Sequence, residues 1–404
     1  MSQRFAFLAE PDLARVLALL NPPGEETRVI GGAVRGALIG LAPSDFDLAT
    51  TLLPDAVMQL AESARLRAIP TGIAHGTVTL VAGGQAFEVT TLREDIASDG
   101  RHAKVRFGRS FVADALRRDF TINALSVSPD GRLHDYTGGQ ADLAARRVRF
   151  IGDPARRIAE DFLRALRFFR FHAAFGAGEP DAAALAAILQ ARQGLPGLSR
   201  ERVRMELFKL LSAPGAAGAA QAMSDMDIFG ILLGGVTAPA RLARLMVPGG
   251  ADPLLRLAAL ALWTGEDAER LGERLRLSRL ETAHLAEIAA VRAAWHGSAQ
   301  PPGVADLQRL LLLHGHSATA DGLALVQAEG FGQAGSWPQA FALLASLPRP
   351  RLPFSGADLR QRGIEAGPKM GAMLKTLQAR WIRAGFPKDP AELARLLAEV
   401  VEQS

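Results

Sequence analysis

The sequence contains no cysteine in 404 residues. Disulfide frameworks, thiolate zinc sites and cysteine nucleophiles are therefore excluded, because each of them needs a thiol. A metal ion bound by this chain must be held by carboxylates or imidazoles instead.

Long hydrophobic runs are also missing. No apolar stretch reaches the ~18 to 20 residues that a bilayer-spanning helix needs. The segment Met1 to Leu20 alternates charged and apolar residues, unlike the apolar core of a signal peptide. We therefore expect a cytoplasmic protein without membrane partners.

The net charge is small. There are 46 Lys and Arg against 42 Asp and Glu, which gives +4 and says little about partners. The distribution of charge is more informative, because eight arginines fall between residues 146 and 170. Such a local excess of positive charge predicts a surface that binds phosphates. The alternative, which is commoner for runs of charged residues, is a helix face exposed to solvent.

The residues that are present suit a folded protein of more than one unit. The composition, with 49% hydrophobic and 22% charged residues, is close to ordinary globular usage, and 404 residues are too many for one small core. Up to about Val148 short β-like runs are mixed with helical stretches, and beyond it the pattern is almost wholly helical.

Local signals predict several elements individually. Residues 28–30 form a strand that leads into a helix over 33–39, and residues 46–49 form the next strand. The runs 77–81 and 85–92 flank a glycine pair and predict a hairpin, because glycine supplies the positive φ of a tight turn.

One long amphipathic helix is predicted from Asp153 onward. Asp153 is a good N-cap, Pro154 suits the first helical position, and apolar residues follow at helical spacing.

Two aspartates, Asp45 and Asp47, stand two residues apart in a predicted strand. Their side chains should therefore share one face while Phe46 points to the other. Glu88 lies in a second alternating strand and is a candidate third carboxylate. Mg²⁺ usually takes one or two carboxylates together with substrate phosphates and water, so the pattern suits phosphoryl transfer. For the Asp pair taken alone, a surface turn is the alternative.

A glycine pair precedes these carboxylates. Gly31 and Gly32 open a predicted helix directly after a strand, and Arg35 follows in its first turn. Backbone amides, the helix dipole and a guanidinium would converge there on a triphosphate. For the glycines alone, the alternative is a plain strand-to-helix turn.

Eight motifs run through about the first 210 residues. In chain order they are Gly31-Gly32-Ala33-Val34-Arg35, Asp45-Phe46-Asp47, Thr71 to Thr77, Phe87 to Arg93, Asp99 to His102, Arg117 to Ala124, Glu160 to Phe168 and Ser199 to Arg202. In content and order they resemble the class II tRNA nucleotidyltransferase and bacterial poly(A) polymerase family, part of the polymerase-β-like superfamily. A looser match in the second half covers 354–359 and 367–371.

The resemblance implies a role for each matching residue. Asp45 and Asp47 would bind the Mg²⁺ ions of a two-metal site, with Glu88 as the third acidic group. Residues 93–104 match a loop that in this family influences C addition versus A addition, and Gly36 stands where the family commonly has Asp. The residues implied to bind nucleotide are Gly31, Gly32, Arg35, Arg118, Asp119, Asn123, Asp161, Arg164, Arg167 and Arg170.

The resemblance also implies the fold, which is of the α+β class. A polymerase-β-like nucleotidyltransferase head, with a mixed sheet and helices, would precede an all-α region of neck, body and tail. We place the head at residues 1–148, the neck with the base-reading helix at 149–215, the body at 216–350 and the tail, a tRNA contact, at 351–404. The His-Asp motif of HD phosphohydrolase domains is not found in the sequence, so that accessory domain is not expected.

Asp161 and Arg164 are implied to read the base. Three residues apart on one continuous helix, they would share a face. Cytosine and adenine both present an amino donor beside a ring-nitrogen acceptor, which a carboxylate and a guanidinium satisfy together. Uracil and guanine reverse both groups, and each unpaired buried group costs on the order of 1 to 3 kcal/mol. The alternative is an ordinary ion pair worth ~0.2 to 0.5 kcal/mol.

The function implied by the resemblance is template-independent addition of C and A to the 3′ end of tRNA, from CTP and ATP with release of pyrophosphate. Poly(A) synthesis, or addition of only part of CCA, is the nearest alternative. A non-catalytic RNA-binding protein is a more distant one, because Asp45, Asp47 and Glu88 are all present. The sequence leaves the oligomeric state open.

Overall fold

The computed structural model describes residues 3–43, 45–98, 103–245, 250, 252–330 and 337–403. The chain divides into two compact units, Met1–Leu232 and Leu233–Ser404. Within the described ranges, no helix combines the length and apolar character that crossing a membrane requires.

A seven-stranded mixed sheet forms the centre of the first unit. Its strands are β1 (Thr27–Ile30), β2 (Phe46–Thr50), β3 (Arg67–Gly72), β4 (Thr77–Ala82), β5 (Gln85–Thr91), β8 (Ser126–Val127) and β9 (Leu133–His134). Their order across the sheet is β3-β4-β5-β2-β1-β8-β9. Strands β2 and β5 are parallel, and the other neighbours pair antiparallel. A separate antiparallel ribbon consists of β6 (Arg93–Ser98) and β7 (Ala103–Phe107).

Helices alternate with these strands along the chain, and after β9 all the regular elements described are helices. They are α1 (Pro11–Leu19), α2 (Gly32–Leu38), α3 (Pro54–Ser63), α4 (Phe111–Leu116), α5 (Gly139–Ala144), α6 (Pro154–Glu160), α7 (Leu163–Phe175), α8 (Ala182–Ala191), α9 (Arg200–Leu211), α10 (Ala216–Asp225) and α11 (Ile228–Leu233). Short 3-10 helices occupy Gln3–Ala9, Ile73–His75, Thr121–Asn123 and Arg192–Gly197.

The predicted strands and the hairpin are confirmed. Strands β4 and β5 pair antiparallel, and the turn between them has φ 56° at Gly83 and 85° at Gly84, as a glycine pair allows. Alternation in β2 and β5 buries Phe46 and Phe87 on one side of the sheet, where the two rings stack at 6.1 Å. The opposite side carries Asp47 of β2 and Glu88 of β5.

The prediction of one long helix from Asp153 is wrong. Helix α6 ends at Glu160, Asp161 is extended (φ −158°, ψ 108°), and α7 begins at Leu163. The Asp161 carboxylate accepts a hydrogen bond from the Leu163 amide at 3.1 Å. This local bond competes with the helix, so an aspartate that fits the helical pattern ends one helix and binds the first amide of the next.

Every regular element described in the second unit after α11 is a helix. The helices are α12 (Pro239–Arg244), α13 (Pro253–Ala261), α14 (Gly265–Leu275), α15 (Arg279–Trp295), α16 (Val304–Glu329), α17 (Trp337–Ser346), α18 (Gly356–Arg360), α19 (Pro368–Arg383) and α20 (Pro390–Glu402). One apolar cluster joins α15, α16 and α17, and another joins α18, α19 and α20. The predicted α+β class with a helical second part is thus confirmed, whereas the predicted domain boundaries stay predictions.

Candidate active site

Two of the three predicted carboxylates are exact neighbours across the parallel strand pair. Asp47 of β2 lies in register with Glu88 of β5, and both side chains are on the exposed side of the sheet. Asp45 precedes β2 by one residue and lies close enough to act electrostatically on Asp47. The structure therefore places Asp47 beside Glu88 on the exposed side of the sheet, with Asp45 close to Asp47.

The electrostatics of this acidic group suit a cation. Loss of hydration raises the pKa of Asp47; Arg118 opposes this effect and Asp45 adds to it. Loss of hydration and the Asp47 charge likewise raise the pKa of Glu88. Like charges held together in this way are stabilised when a metal ion neutralises them.

The described residues do not form a complete three-ligand metal site. Among the described residues, no three His, Cys, Asp or Glu side chains are arranged to hold a metal ion by themselves. Mg²⁺ commonly takes only one or two protein carboxylates and completes its shell with phosphates and water. The donor set of Asp45 and Asp47 therefore fits an ion that binds together with a nucleotide.

The glycine turn and Arg35 lie beside the 3-10 helix Thr121–Asn123. Gly31 has φ 66°, which an L side chain rarely adopts, and its amide donates to Leu125 at 3.0 Å. Gly32 is the first residue of α2. Arg35 hydrogen-bonds the Asn123 side-chain oxygen, and its guanidinium stacks 4.3 Å above the Phe175 ring. Burial and the nearby Arg170 lower the pKa of Arg35 to about 10, so it stays charged at neutral pH.

Asn123 connects Arg35 to a buried ion pair. Its side-chain amide donates to Asp119 at 3.1 Å, and Asp119 also accepts from Arg167 of α7 at 2.6 Å. Burial alone would raise the pKa of Asp119, but Arg167 and Asn123 hold it below its usual range. The predicted residues Arg35, Asn123, Asp119 and Arg167 thus form one continuous polar network.

Glu206 of α9 extends that network and was missed by the sequence reasoning. Its carboxylate lies 2.5 Å from Arg170 and 3.7 Å from Arg167, and the residue is only 1% exposed. Nothing in the local sequence links it to the arginines, since it lies on a different helix.

Asp114 of α4 is a second missed residue, and here a signal was available. One carboxylate oxygen contacts Arg117 at 2.5 Å and the other contacts Arg118 at 2.7 Å. The spacing of three and four residues along a helix is typical of such pairs. Asp114 therefore orients Arg118, the arginine whose positive charge acts to lower the pKa of Asp47.

The predicted base-reading pair has a different arrangement from the one expected. Because of the break at Asp161, the two residues do not lie on one continuous helix, so the helix on which the shared-face prediction rested is wrong. Arg164 contacts Glu160 at 2.5 Å, whereas Asp161 accepts from Arg202 of α9 at 2.6 Å. Each member of the predicted pair thus has its own partner of opposite charge.

The predicted loop at 93–104 corresponds to the β6–β7 ribbon. Its Asp99 to His102 motif lies outside the described residues. Arg93, at the start of β6, donates to the His75 carbonyl at 2.9 Å.

Comparisons with known proteins agree with the resemblance predicted from the motifs. A family model described as the Poly A polymerase head domain matches residues 27–149. The mouse protein named CCA tRNA nucleotidyltransferase 1, mitochondrial, is 33% identical over 97% of this chain and 91% of its own length. A CCA-adding enzyme of Limosilactobacillus fermentum is 30% identical over 98% of both chains.

The fold also matches a solved structure. The Bacillus stearothermophilus CCA-adding enzyme, crystallised in complex with CTP, has a TM-score of 0.74 and 26% identity. The match covers 100% of this chain and 99% of that one. The predicted head and the helical region that follows it are both present.

Proposed function

We propose that this chain, which belongs to the CCA tRNA nucleotidyltransferase family, adds C and A to the 3′ end of tRNA from CTP and ATP. The observation that carries the proposal is the register of Asp47 with Glu88 on the open face of the sheet. The relatives align over nearly the whole chain, which favours CCA addition over a reaction confined to the head.

Membership of this family implies dependence on a divalent metal. We infer Mg²⁺, held by Asp45 and Asp47 with Glu88 as the adjoining acid. When bound, the ions lower the pKa of the RNA 3′-hydroxyl and neutralise charge on the departing pyrophosphate. The contribution of the chain is a pair of carboxylates, one on β2 and one just before it, on either side of the buried Phe46.

The basic network binds the triphosphate in this proposal. Arg35, Arg118, Arg167 and Arg170 supply the positive charge, and the glycine turn at Gly31 and Gly32 allows phosphates to approach the backbone. Phosphoryl transfer depends mainly on positioning and charge stabilisation, so fixed guanidinium groups are what it needs. Asp119 holds Arg167 and Asn123 holds Arg35, and in this proposal the two residues also orient the ribose.

Asp161 and Arg164 select the base in this proposal. The carboxylate accepts from the exocyclic amine of cytosine or adenine, and the guanidinium donates to the adjacent ring nitrogen. Uracil and guanine would leave both groups unpaired, which penalises them without a template.

The domain boundaries belong to the same proposal. The head at 1–148 carries the carboxylates with Arg35 and Arg118, and the neck at 149–215 carries Arg167, Arg170 and the base-reading pair. The body at 216–350 and the tail at 351–404 grip tRNA by shape and charge.

One assay tests the product. Transcripts of tRNA lacking one, two or three terminal nucleotides are incubated with Mg²⁺ and CTP, ATP or both, and the products are resolved at single-nucleotide length. Extension that stops at CCA supports the proposal. Long A tails identify a poly(A) polymerase, extension that stops short identifies a partial enzyme, and binding without extension refutes an enzymatic role.

A further inference from the structure

An arginine from a distant helix holds the Asp161 carboxylate. Arg202 of α9 donates from Nη2 to Asp161 Oδ2 at 2.6 Å, although 41 residues separate the two in the chain. The Arg202 side chain is 40% exposed and the Asp161 side chain 26%, so the pair lies at a surface open to a ligand.

Asp161 is fixed at both oxygens. The second oxygen, Oδ1, accepts from the Leu163 amide at 3.1 Å. An ionised carboxylate has about four lone-pair sites, so these two bonds orient it and leave room for another donor. Its direction is therefore set before any base arrives.

Arg164 has a partner of its own, Glu160, and does not share the partner of Asp161. It contacts Glu160 at 2.5 Å and also donates to the Arg157 carbonyl at 2.9 Å. Because Arg202 and Glu160 balance the charges of Asp161 and Arg164, the two base-reading groups have no need to pair with one another. A direct pair between Asp161 and Arg164 would turn the acceptor and the donor towards each other instead of towards a base.

We propose that Arg202 is a positioning residue that determines base specificity by keeping Asp161 apart from Arg164. The inference rests on the proposed function, since it assumes that these two side chains read the base. Without Arg202, the Asp161 carboxylate turns to Arg164, three residues along the chain, and the amino group of C or A loses its acceptor.

The test compares three variants in the full-length protein. Arg202→Gln removes the charge, Arg202→Lys keeps the charge but loses the planar fork, and Arg204→Gln is the matched control on the same helix. For each, kcat/KM is measured for CTP against UTP on tRNA lacking CCA, and for ATP against GTP on tRNA ending in CC. Thermal unfolding is recorded in parallel.

We expect Arg202→Gln to reduce both discrimination ratios by roughly tenfold, as for the loss of one oriented contact to the base. Arg202→Lys should restore part of the ratio, Arg204→Gln should keep the wild-type ratio, and all three should unfold near the wild-type temperature. A purely structural ion pair would alter stability or overall activity and leave the ratios unchanged.

Two failures can be told apart. If wild-type protein discriminates and Arg202→Gln discriminates equally well, the positioning role is overturned while the proposed function stands. If wild-type protein does not extend tRNA with CTP and ATP, the proposed function is refuted and the role of Arg202 with it.

Discussion

Glu206 lies 2.5 Å from Arg170, and both side chains are largely withdrawn from water. The pair joins α9 to α7, and Arg170 is one of the arginines proposed to bind the triphosphate. Arg170 in turn lowers the pKa of Arg35, which shows how closely the positive charges are packed. One buried carboxylate therefore offsets the mutual repulsion of several arginines.

Replacing Glu206 with Gln should destabilise the first unit. Removing one partner of a buried ion pair leaves an uncompensated charge and costs about 3 to 5 kcal/mol. We expect a lower free energy of unfolding in chemical denaturation, and a larger increase in melting temperature on adding pyrophosphate than wild type shows, because an anion replaces the missing charge.

Glu201→Gln is the control for that prediction, since Glu201 is an exposed acid on the same helix. It should unfold within about 0.5 kcal/mol of wild type. Equal stability of the Glu206→Gln variant and wild type would contradict the charge-balancing role.

Asp47→Ala should abolish nucleotide addition and leave tRNA binding nearly intact. The substitution removes a proposed metal ligand from a position that is exposed on the sheet face, so folding should survive. Extension assays and tRNA binding by filter retention measure the two effects. Asp55→Ala, at an exposed position in α3, should retain activity, and retained extension by Asp47→Ala would refute the metal assignment.

Arg164→Ala should relax base choice before it destroys catalysis. Loss of a charged contact to the ring nitrogen is worth about 1 to 3 kcal/mol, or roughly 5- to 150-fold in the ratio of kcat/KM for CTP over UTP. Arg156→Ala is a matched control, because Arg156 also pairs with Glu160 but is 81% exposed. Unaltered rejection of UTP and GTP by Arg164→Ala would count against the reading role.

Asp114→Asn should change how stability depends on pH. Burial opposes ionisation of Asp114, yet Arg118 and Arg117 hold its pKa below the usual value. Because the folded-state pKa is lower than the unfolded value of about 3.9, the stabilisation is fully present above about pH 4 and is lost as the pH falls through the folded-state pKa.

The measurement is urea unfolding of wild type and Asp114→Asn between pH 7 and pH 3. The variant should be less stable by about 3 kcal/mol at neutral pH, and the gap should narrow below about pH 4. A gap that stays constant over this range would show that the carboxylate charge is not what stabilises the two arginines.

Short-range features were predictable from the sequence. The alternation around Phe46 and Phe87 placed Asp47 and Glu88 on exposed strand faces, and the pair Gly83-Gly84 predicted the hairpin. These features depend on side-chain periodicity and on backbone angles that only glycine adopts easily, which are local properties.

Features that depend on distant helices were not predictable. Asp161 fits the helical pattern of the sequence, so the break there was not predicted. The hydrogen bond from the Leu163 amide that competes with the helix is seen only in the structure. Glu206 and the motif residue Arg202 both contact the site from α9. Their contacts were not predictable, because no spacing rule connects residues that are far apart in the chain. The ion pairs of Asp114 could have been predicted, because Arg117 and Arg118 follow it by three and four residues, the spacing of neighbours on a helix.

The parallel alignment of β2 with β5 has a consequence for molecules that fold incorrectly. A slip of one residue would turn Glu88 towards the apolar interior and expose Phe87 to water, since the direction of side chains reverses at every step. Such a molecule would lose stability together with its carboxylate group. The correct strand register and the carboxylate group are therefore gained or lost together.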